Sequence, residues 1–418
     1  MSTIANHHVA LKSLTPLLKK LQGQPDGVEI DEIALAFESI FENQVDPIQY
    51  AVFLTLLSSK GKDRDSKVIA KCAKRAREMA LPIDHRVLRE IVGRSSKKQG
   101  RYGGGFCDLV GTGGDGHDTF NVSTTASIIA SSFLLMAKHG NIASSSSSGS
   151  ANLMQNIIPK APSLRAVSNT TLDQVYQTSN YGFLFAPNFH TGMKYAAPLR
   201  KSMGFPTIFN RLGPLTNPVH QFTEARVVGV SEQGLGLIFA EALWESGVRK
   251  ALVVCGAENL DEISCAGPTN CWRLTDGEVV TKLPLELDED NDHIARDDDE
   301  AKGMPPHIEH FQICPEDFGL QRHPLSEVAG GHSPERNAEI LQKILRNELP
   351  EGHPILDFVL MNTAALLATS GVFNHPDKQD SGALMFKEGV KRARQALANG
   401  SAAAELQKFV DATHGVKF

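Results

Sequence analysis

Between Asp108 and Asn141 the chain runs DLVGTGGDGHDTFNVSTTASIIASSFLLMAKHGN, and no other stretch limits the fold so strongly. Leu109 and Val110 close a short apolar run that reads as a strand. Gly111-Thr112-Gly113-Gly114-Asp115-Gly116 then places four glycines in six residues, a turn in which backbone can come close to an anionic ligand. Ser123 and Thr124 stand where a helix should begin, because Ile128, Ile129, Phe133, Leu134 and Leu135 follow at mixed helical spacing and both residue types cap helices well. N–H groups and hydroxyls would surround such a loop and attract phosphate. Taken alone, the glycines fit an ordinary tight connection as well. The turn is neither the dinucleotide fingerprint GxGxxG nor a Walker loop, which closes on Gly-Lys-Ser/Thr.

Composition fits a soluble enzyme with a substantial core: 418 residues, 41% hydrophobic and 22% charged, a length that allows two or three domains. A formal net charge of −6 argues against a general nucleic-acid binder. Cys72, Cys107, Cys255, Cys265, Cys271 and Cys314 are scattered without CxxC spacing, which indicates neither a zinc site nor a disulfide framework and suits a reducing cytosol. No apolar run reaches the roughly 18 to 20 residues of a membrane span, and MSTIANHHVALKS lacks the regions of a signal peptide.

The first eighty residues read as helices. Ile33, Phe37, Ile40 and Phe41 share one face, Asp46-Pro47 is a cap and first-turn pair before Ile48 to Leu57, and Asp65-Ser66 precedes a helical run from Lys67 to Ala80. Gly93 to Gly105, basic and glycine-rich, reads as a linker into the first strand of an α/β domain. Ala225 to Val230 and Ala251 to Cys255 are further strand candidates with helical pattern beside them, as in a parallel or mixed sheet. Glu286 to Glu300 holds many acids and almost no apolar residues, the composition of a solvated surface insertion, although acids so dense are also compatible with cation binding. The serine run Ser144 to Ser148 has linker composition.

The full string GTGGDG-x(2)-T-x-N-x-S-T, with Lys138-His139-Gly140-Asn141 following Thr124 after fourteen residues, resembles the anthranilate phosphoribosyltransferase family of tryptophan biosynthesis. Phe185 to His190 resembles its FAPxFH segment, Leu199 to Gly204 its arginine-bearing helix, Phe209 to Pro218 its FNxLGPLTNP stretch, and Leu260 to Ser264 its paired acids. Gly330, Gly331, Asn337 and Ala338 match a weaker C-terminal pattern, so the similarity runs from about residue 10 to about residue 400. It implies an α/β fold class: a small all-helical N-terminal domain and a larger α/β domain whose central, mostly parallel mixed sheet is flanked by helices. The helical domain would be discontinuous, 1–93 completed by about 164–184; the other would span 94–163 and 185–418, with the acidic insertion near 286–302.

The resemblance also implies roles. Phosphoribosyl diphosphate would be held by Gly111, Gly114, Asp115, Thr119, Asn121, Val122, Ser123, Thr124, Lys138, His139, Gly140, Asn141 and Ser150. Anthranilate would meet Gly111, Asn141, Pro187, His190, Arg200 and Gly213, with the planar fork of Arg200 on its carboxylate. Ser123, Asp261 and Glu262 would hold magnesium, two ions being expected, since magnesium takes oxygen ligands from one or two carboxylates together with phosphate. No covalent nucleophile is required. For His139 and His190 both acid–base work and a structural hydrogen bond stay open. A homodimer through the helical domain and a cytoplasmic location complete what the family implies.

The resemblance places the serine run Ser144 to Ser148, between Lys138-His139-Gly140-Asn141 and Gly149-Ser150, in the family's second phosphate loop and so implies a ligand-facing role for it; this loop departs from the family, in which many bacterial members have arginine at Ile142, lysine at Ser147 and aspartate at Asn152. Hydroxyls and backbone N–H groups replace hydrogen bonds but not charge, so weaker or more metal-dependent diphosphate binding is expected. Two other readings compete. A pyrimidine nucleoside phosphorylase would carry a different acid and serine pattern in its glycine loop, and a non-enzymatic, nucleic-acid-binding relative would show a basic face and eroded metal acids.

Overall fold

A computed structural model describes residues 11–142, 149–275, 306–331, 333–373 and 382–417. Ser144–Ser148 and the acidic run Glu286–Glu300 lie outside the described residues. The chain opens with helices α1 (Thr15–Gly23), α2 (Ile30–Phe41), α3 (Pro47–Ser59), α4 (Ser66–Glu78) and α5 (His85–Arg94). The expected caps form: Asp46 accepts from the N–H groups of Ile48 and Gln49, and Asp65 from those of Lys67 and Val68. Ile33, Phe37, Ile40 and Phe41 are all buried.

Among the described residues seven strands follow: β1 (Phe106–Gly111), β2 (Leu135–Gly140), β3 (Tyr181–Phe185), β4 (Thr223–Gly229), β5 (Ala251–Gly256), β6 (Thr269–Thr275) and β7 (His307–Ile313). They form one sheet in the order β3-β2-β1-β4-β5-β6-β7, parallel through β5 and antiparallel for the last two pairings. Among the described residues the other helices are α6 (Val122–Ala130), α7 (Ser150–Gln155), α8 (Leu172–Tyr176), α9 (Ala186–Phe189), α10 (Met193–Met203), α11 (Ile208–Leu212), α12 (Gly236–Glu245), α13 (Pro334–Leu345), α14 (Pro354–Ser370), α15 (Gly382–Ala398) and α16 (Ser401–Gly415). From β3 across to β5 the sheet is buried on both faces, whereas the edge strand β7 is largely exposed, and the period-2 alternation of strands divides the buried side chains. Leu252 and Val254 join the core beneath α6, α14 and α16; Ala251, Val253 and Cys255 join the core formed with α12 and the N-terminal helices.

Residues 164–184 differ from the expectation that they return to the helical domain. Tyr181–Phe185 is a fully buried apolar run and pairs with β2 as a sheet strand, while α8 packs against α5 and α16. The segment that packs on α2, α3 and α4 is α10 with α11, because Phe209 completes an aromatic cluster with Phe37 (centroids 5.1 Å apart), Phe41 and Tyr50. A buried ion pair between Arg211 and Asp63 fixes α11 to the turn before α4.

Candidate active site

The four adjoining parallel strands β2, β1, β4 and β5 each end in glycine: Gly140, Gly111, Gly229 and Gly256. Ligands of open α/β sheets gather at this carboxyl edge. Here the glycines make room for residues that approach the strand ends closely. A Cβ on Gly229 would collide with the Asp261 carbonyl oxygen, and one on Gly111 with the Asp261 carboxylate, so the two form a slot for that residue. After β1, Gly113, Gly114 and Gly116 adopt φ of 66°, 79° and 80°, which disfavours any residue with a Cβ. The helix that follows starts one residue before Ser123, at Val122. Asn121 rather than Ser123 or Thr124 is its N-cap, and its carbonyl accepts from the Thr125 N–H (3.2 Å). Val122 and Thr124 are buried, and the Val122 N–H bonds to the Phe120 carbonyl, whereas Ser123 is half-buried.

The paired acids are drawn onto this loop. The Gly113 N–H donates to Asp261 Oδ2 at 2.5 Å, the Asp261 N–H donates to Asp115 Oδ2 at 3.4 Å, and the Thr119 hydroxyl donates to Glu262 Oε2 at 3.4 Å. Burial, then repulsion from Asp115, raises the Asp261 carboxyl above the usual carboxylate range; burial, then Asp261 and Asp115, raises Glu262 well above it too. Lys138, buried at the end of β2, is pulled the other way by burial and is partly restored by Asp108, Glu262 and Asp261. Among the described residues no three His, Cys, Asp or Glu side chains enclose a metal by themselves. Acids short of positive charge, next to a hydroxyl and an anion loop, fit magnesium, which keeps waters and shares phosphate oxygens.

Beneath the loop, Asp108 Oδ2 accepts from Asn217 Nδ2, which also donates to the Ala137 carbonyl, both at 2.9 Å. This joins β1, β2 and the segment after α11. At the end of β2, the Ser150 hydroxyl accepts from the Asn141 N–H (3.1 Å) and donates to its carbonyl (3.2 Å), docking α7 on the loop. A Cβ on Gly140 would strike Ser150 and the Phe183 ring. Asn152 accepts from the Gly149 N–H, Ile142 is exposed, and Ser147 lies outside the described residues.

His139 and His190 face each other with ring centroids 5.3 Å apart. His190 Nε2 lies 2.9 Å from the Thr216 carbonyl, and burial lowers its pKa to about 4. Burial, then His190, holds His139 well below its ordinary value; its Nε2 is buried with no hydrogen-bond partner among the described residues, while the Gly213 backbone stabilises the ring's protonated form. Pro187, exposed in α9, stands one turn before His190, whose N–H bonds to Ala186. Arg200, half-buried on α10, lies over the Phe209 ring at 5.0 Å, and no carboxylate of the described residues pairs with it.

Two supports escaped the sequence reading, and a third, Asn337, was named there without its contact. Asn362, buried on α14, accepts from the Ile263 N–H and donates to the Ile263 carbonyl, bracing the residue after Glu262. Gly229 shapes the Asp261 slot, and its place at a strand end beside Val227 and Val228 was the available signal. Asn337 contacts Asn121 across the loop, a pairing with no local signal.

Comparison with known proteins agrees with this geometry. Residues 103–403 match the α/β domain model of the glycosyl transferase family, and residues 15–80 its helical bundle domain model. A Schizosaccharomyces pombe protein named anthranilate phosphoribosyltransferase is 37% identical over 383 residues, covering 91% of this chain and 92% of its own. The Saccharomyces cerevisiae anthranilate phosphoribosyltransferase solved with PRPP and Mg superposes with a TM-score of 0.77 at 28% identity, covering 96% of this chain and 98% of that one. The structure of the same yeast enzyme with 4-fluoroanthranilate gives a TM-score of 0.75 at 28% identity with the same coverage.

Proposed function

The chain belongs to the glycosyl transferase family, among its anthranilate phosphoribosyltransferases, and we propose that the Gly111–Thr124 loop and the Asp261–Glu262 pair carry that family's reaction here. The enzyme transfers the phosphoribosyl group of 5-phosphoribosyl 1-diphosphate to the amine of anthranilate, giving N-(5-phosphoribosyl)anthranilate and diphosphate, the second step of tryptophan biosynthesis from chorismate. The observation that carries the residue assignment is the Gly113–Asp261 bond, which joins an anion-binding loop to two acids whose protonation is favoured by burial.

As the bond from the ribose carbon to diphosphate stretches, positive charge grows on the sugar and negative charge on the leaving group. The N–H groups of the loop, the hydroxyls of Thr119, Ser123, Thr124 and Ser150, and the Lys138 ammonium would hold the phosphates. Asp261, Glu262 and Ser123 would hold magnesium, two ions in our reading, whose chemistry is to neutralise the departing diphosphate. Arg200 would take the anthranilate carboxylate, because a half-buried guanidinium lacking a carboxylate among the described residues is suited to one. Pro187, Gly213 and His190 would shape the aromatic pocket, with Gly111 and Asn141 at its inner end. The amine of anthranilate is neutral at pH 7 and needs orientation more than activation. With its other nitrogen turned to the Gly213 backbone, His139 Nε2 would accept one amine proton and steer the nitrogen toward the ribose carbon. His190, neutral and tied to Thr216, fits a structural role better than an acid–base one.

No described helix is long and apolar enough to cross a membrane, and all six cysteines are free thiols, which supports a cytoplasmic location. Ile48 and Val52, one turn apart on α3 and both exposed, support a homodimer through the helical part. The test of function is direct: anthranilate fluorescence should disappear only when phosphoribosyl diphosphate and magnesium are both present.

A further inference from the structure

The acid pair sits in a turn that is closed on itself. Between Gly256 and Ser264, the Gly256 N–H donates to the Leu260 carbonyl and the Asn259 N–H to the Gly256 carbonyl, each at 2.9 Å. Asn259 adopts a φ of 65°, and the Ser264 hydroxyl donates to Glu258 Oε1 (2.5 Å). The scaffold holds this turn at its two ends. Gln233, after β4, donates from Nε2 to the Gly256 carbonyl (2.5 Å), and Asn362 of α14 brackets Ile263. The phosphate loop holds it between them through His117, whose Nε2 lies 3.1 Å from the Glu258 carbonyl. A carbonyl only accepts, so that nitrogen carries the hydrogen. The His117 N–H donates to Asp115 Oδ1 (3.2 Å), which closes the bend over Gly116, where φ is 80°.

Loop and turn are also joined by Gly113 to Asp261, by Asp261 to Asp115 and by Thr119 to Glu262. These contacts use groups that the family assignment gives to ligands: a loop N–H, Asp115 and Thr119 to phosphate, and both acids to magnesium. Substrate and metal therefore compete with them. The His117–Glu258 bond uses an imidazole and a backbone carbonyl that carry no such assignment. At 3.1 Å it lies within ordinary hydrogen-bond range, whereas the Asp115 and Thr119 contacts are stretched to 3.4 Å. It can persist when the site fills.

We infer that His117 is a positioning residue that ties the phosphate loop to the acid turn in the occupied site, so that phosphoribosyl diphosphate and magnesium each favour the binding of the other. The inference rests on the proposed reading of the loop and the acids. Its signature is a coupling between two ligands rather than affinity for either one. Without the bond each ligand would still meet its own residues, but ordering the loop would do less to place the acids.

Calorimetry at about pH 8, where an imidazole is ordinarily neutral, gives the Kd of phosphoribosyl diphosphate with and without magnesium for wild type, His117→Ala and His117→Gln. Magnesium complexed by the free diphosphate is common to all three proteins and cancels in the comparison. In wild type magnesium should tighten binding. His117→Ala should reduce that tightening roughly three- to tenfold, the range of one hydrogen bond, while the Kd without magnesium changes less than about twofold. By reciprocity, the affinity for magnesium in the presence of phosphoribosyl diphosphate should fall by the same factor. His117→Gln keeps a donor near the position of Nε2 and should restore most of the tightening. An alanine variant whose two Kd values rise together, or that loses only resistance to urea, would show a merely structural histidine and overturn the inference, as would a glutamine variant no better than alanine. Wild-type binding that magnesium leaves unchanged would instead overturn the assignment of the acid pair, and the inference with it.

Discussion

Acid should destabilise this protein through His190 by an amount that can be worked out. The ring is 7% exposed and its pKa is about 4, against about 6.5 in an unfolded chain. Between those values the unfolded chain binds the proton more readily. The stabilising contribution is therefore complete above about pH 6.5 and is lost as pH falls toward 4. With those two pKa values, single-site linkage gives a loss of about 2.5 kcal/mol between about pH 7.5 and about pH 4.5. His190→Gln removes the titration yet keeps an amide donor for the Thr216 carbonyl. Urea unfolding of both proteins across this range should show the variant less stable or equal near neutrality and gaining on wild type by about 2.5 kcal/mol at the acid end. Parallel loss of stability in the two proteins would mean that the folded ring takes up its proton as readily as the unfolded chain does, and the lowered pKa on which the structural reading of His190 rests would be wrong.

Other perturbations separate the parts of the site. Gly229→Ala should leave the circular dichroism spectrum intact while turnover falls about 100-fold, because the new methyl displaces Asp261, and displacements near 1 Å have that effect; an active variant would show that Asp261 need not stay in its slot. Arg200→Ala should raise the KM for anthranilate roughly 10- to 100-fold and leave that for phosphoribosyl diphosphate nearly unchanged, and equal effects would remove Arg200 from the carboxylate. The double change Asp261→Asn with Glu262→Gln should preserve folding and measurable phosphoribosyl diphosphate binding while turnover drops at least about 100-fold and the magnesium requirement shifts upward. Near-normal turnover with an unchanged magnesium titration would rule out this pair as the metal site.

What the sequence disclosed about fold and site was governed by range. The strand, glycine turn and helix from Phe106 to Ala130 are local, and so are the caps Asp46 and Asp65, whose carboxylates bond N–H groups two and three residues away. Such features leave residue types that can be read directly. Strands β4 and β5 announced themselves as short Val-rich runs. Residues 164–184 did not, because the Tyr181–Phe185 run is short enough to be read either as helix or as buried strand, and only its pairing with β2 decides. The N-cap of α6 lies two residues before Ser123 for a similar reason: Ser123 and Thr124 are good caps, but Asn121, bonded to Asn337 from far along the chain, takes the position.

The site itself is held together mostly by such distant partners. Asp261 reaches Gly113, Asn362 reaches Ile263, and Asn337 reaches Asn121, with 148, 99 and 216 residues between the members of each pair. None of these pairs leaves a periodicity or a cap in the sequence. The glycines do leave a trace: each stands at the end of a strand, where a residue with a side chain would ordinarily extend the sheet. Gly111, Gly140, Gly229 and Gly256 stand at one edge on adjoining strands; a Cβ on Gly111 or Gly229 would meet Asp261, one on Gly256 the turn from Glu258 to Ser264, and one on Gly140 the Ser150 hydroxyl and the Phe183 ring. A row of glycines at the carboxyl ends of adjoining parallel strands thus marks where other groups approach the strand ends closely, and in this protein that is where the phosphate loop and the acid pair are brought together.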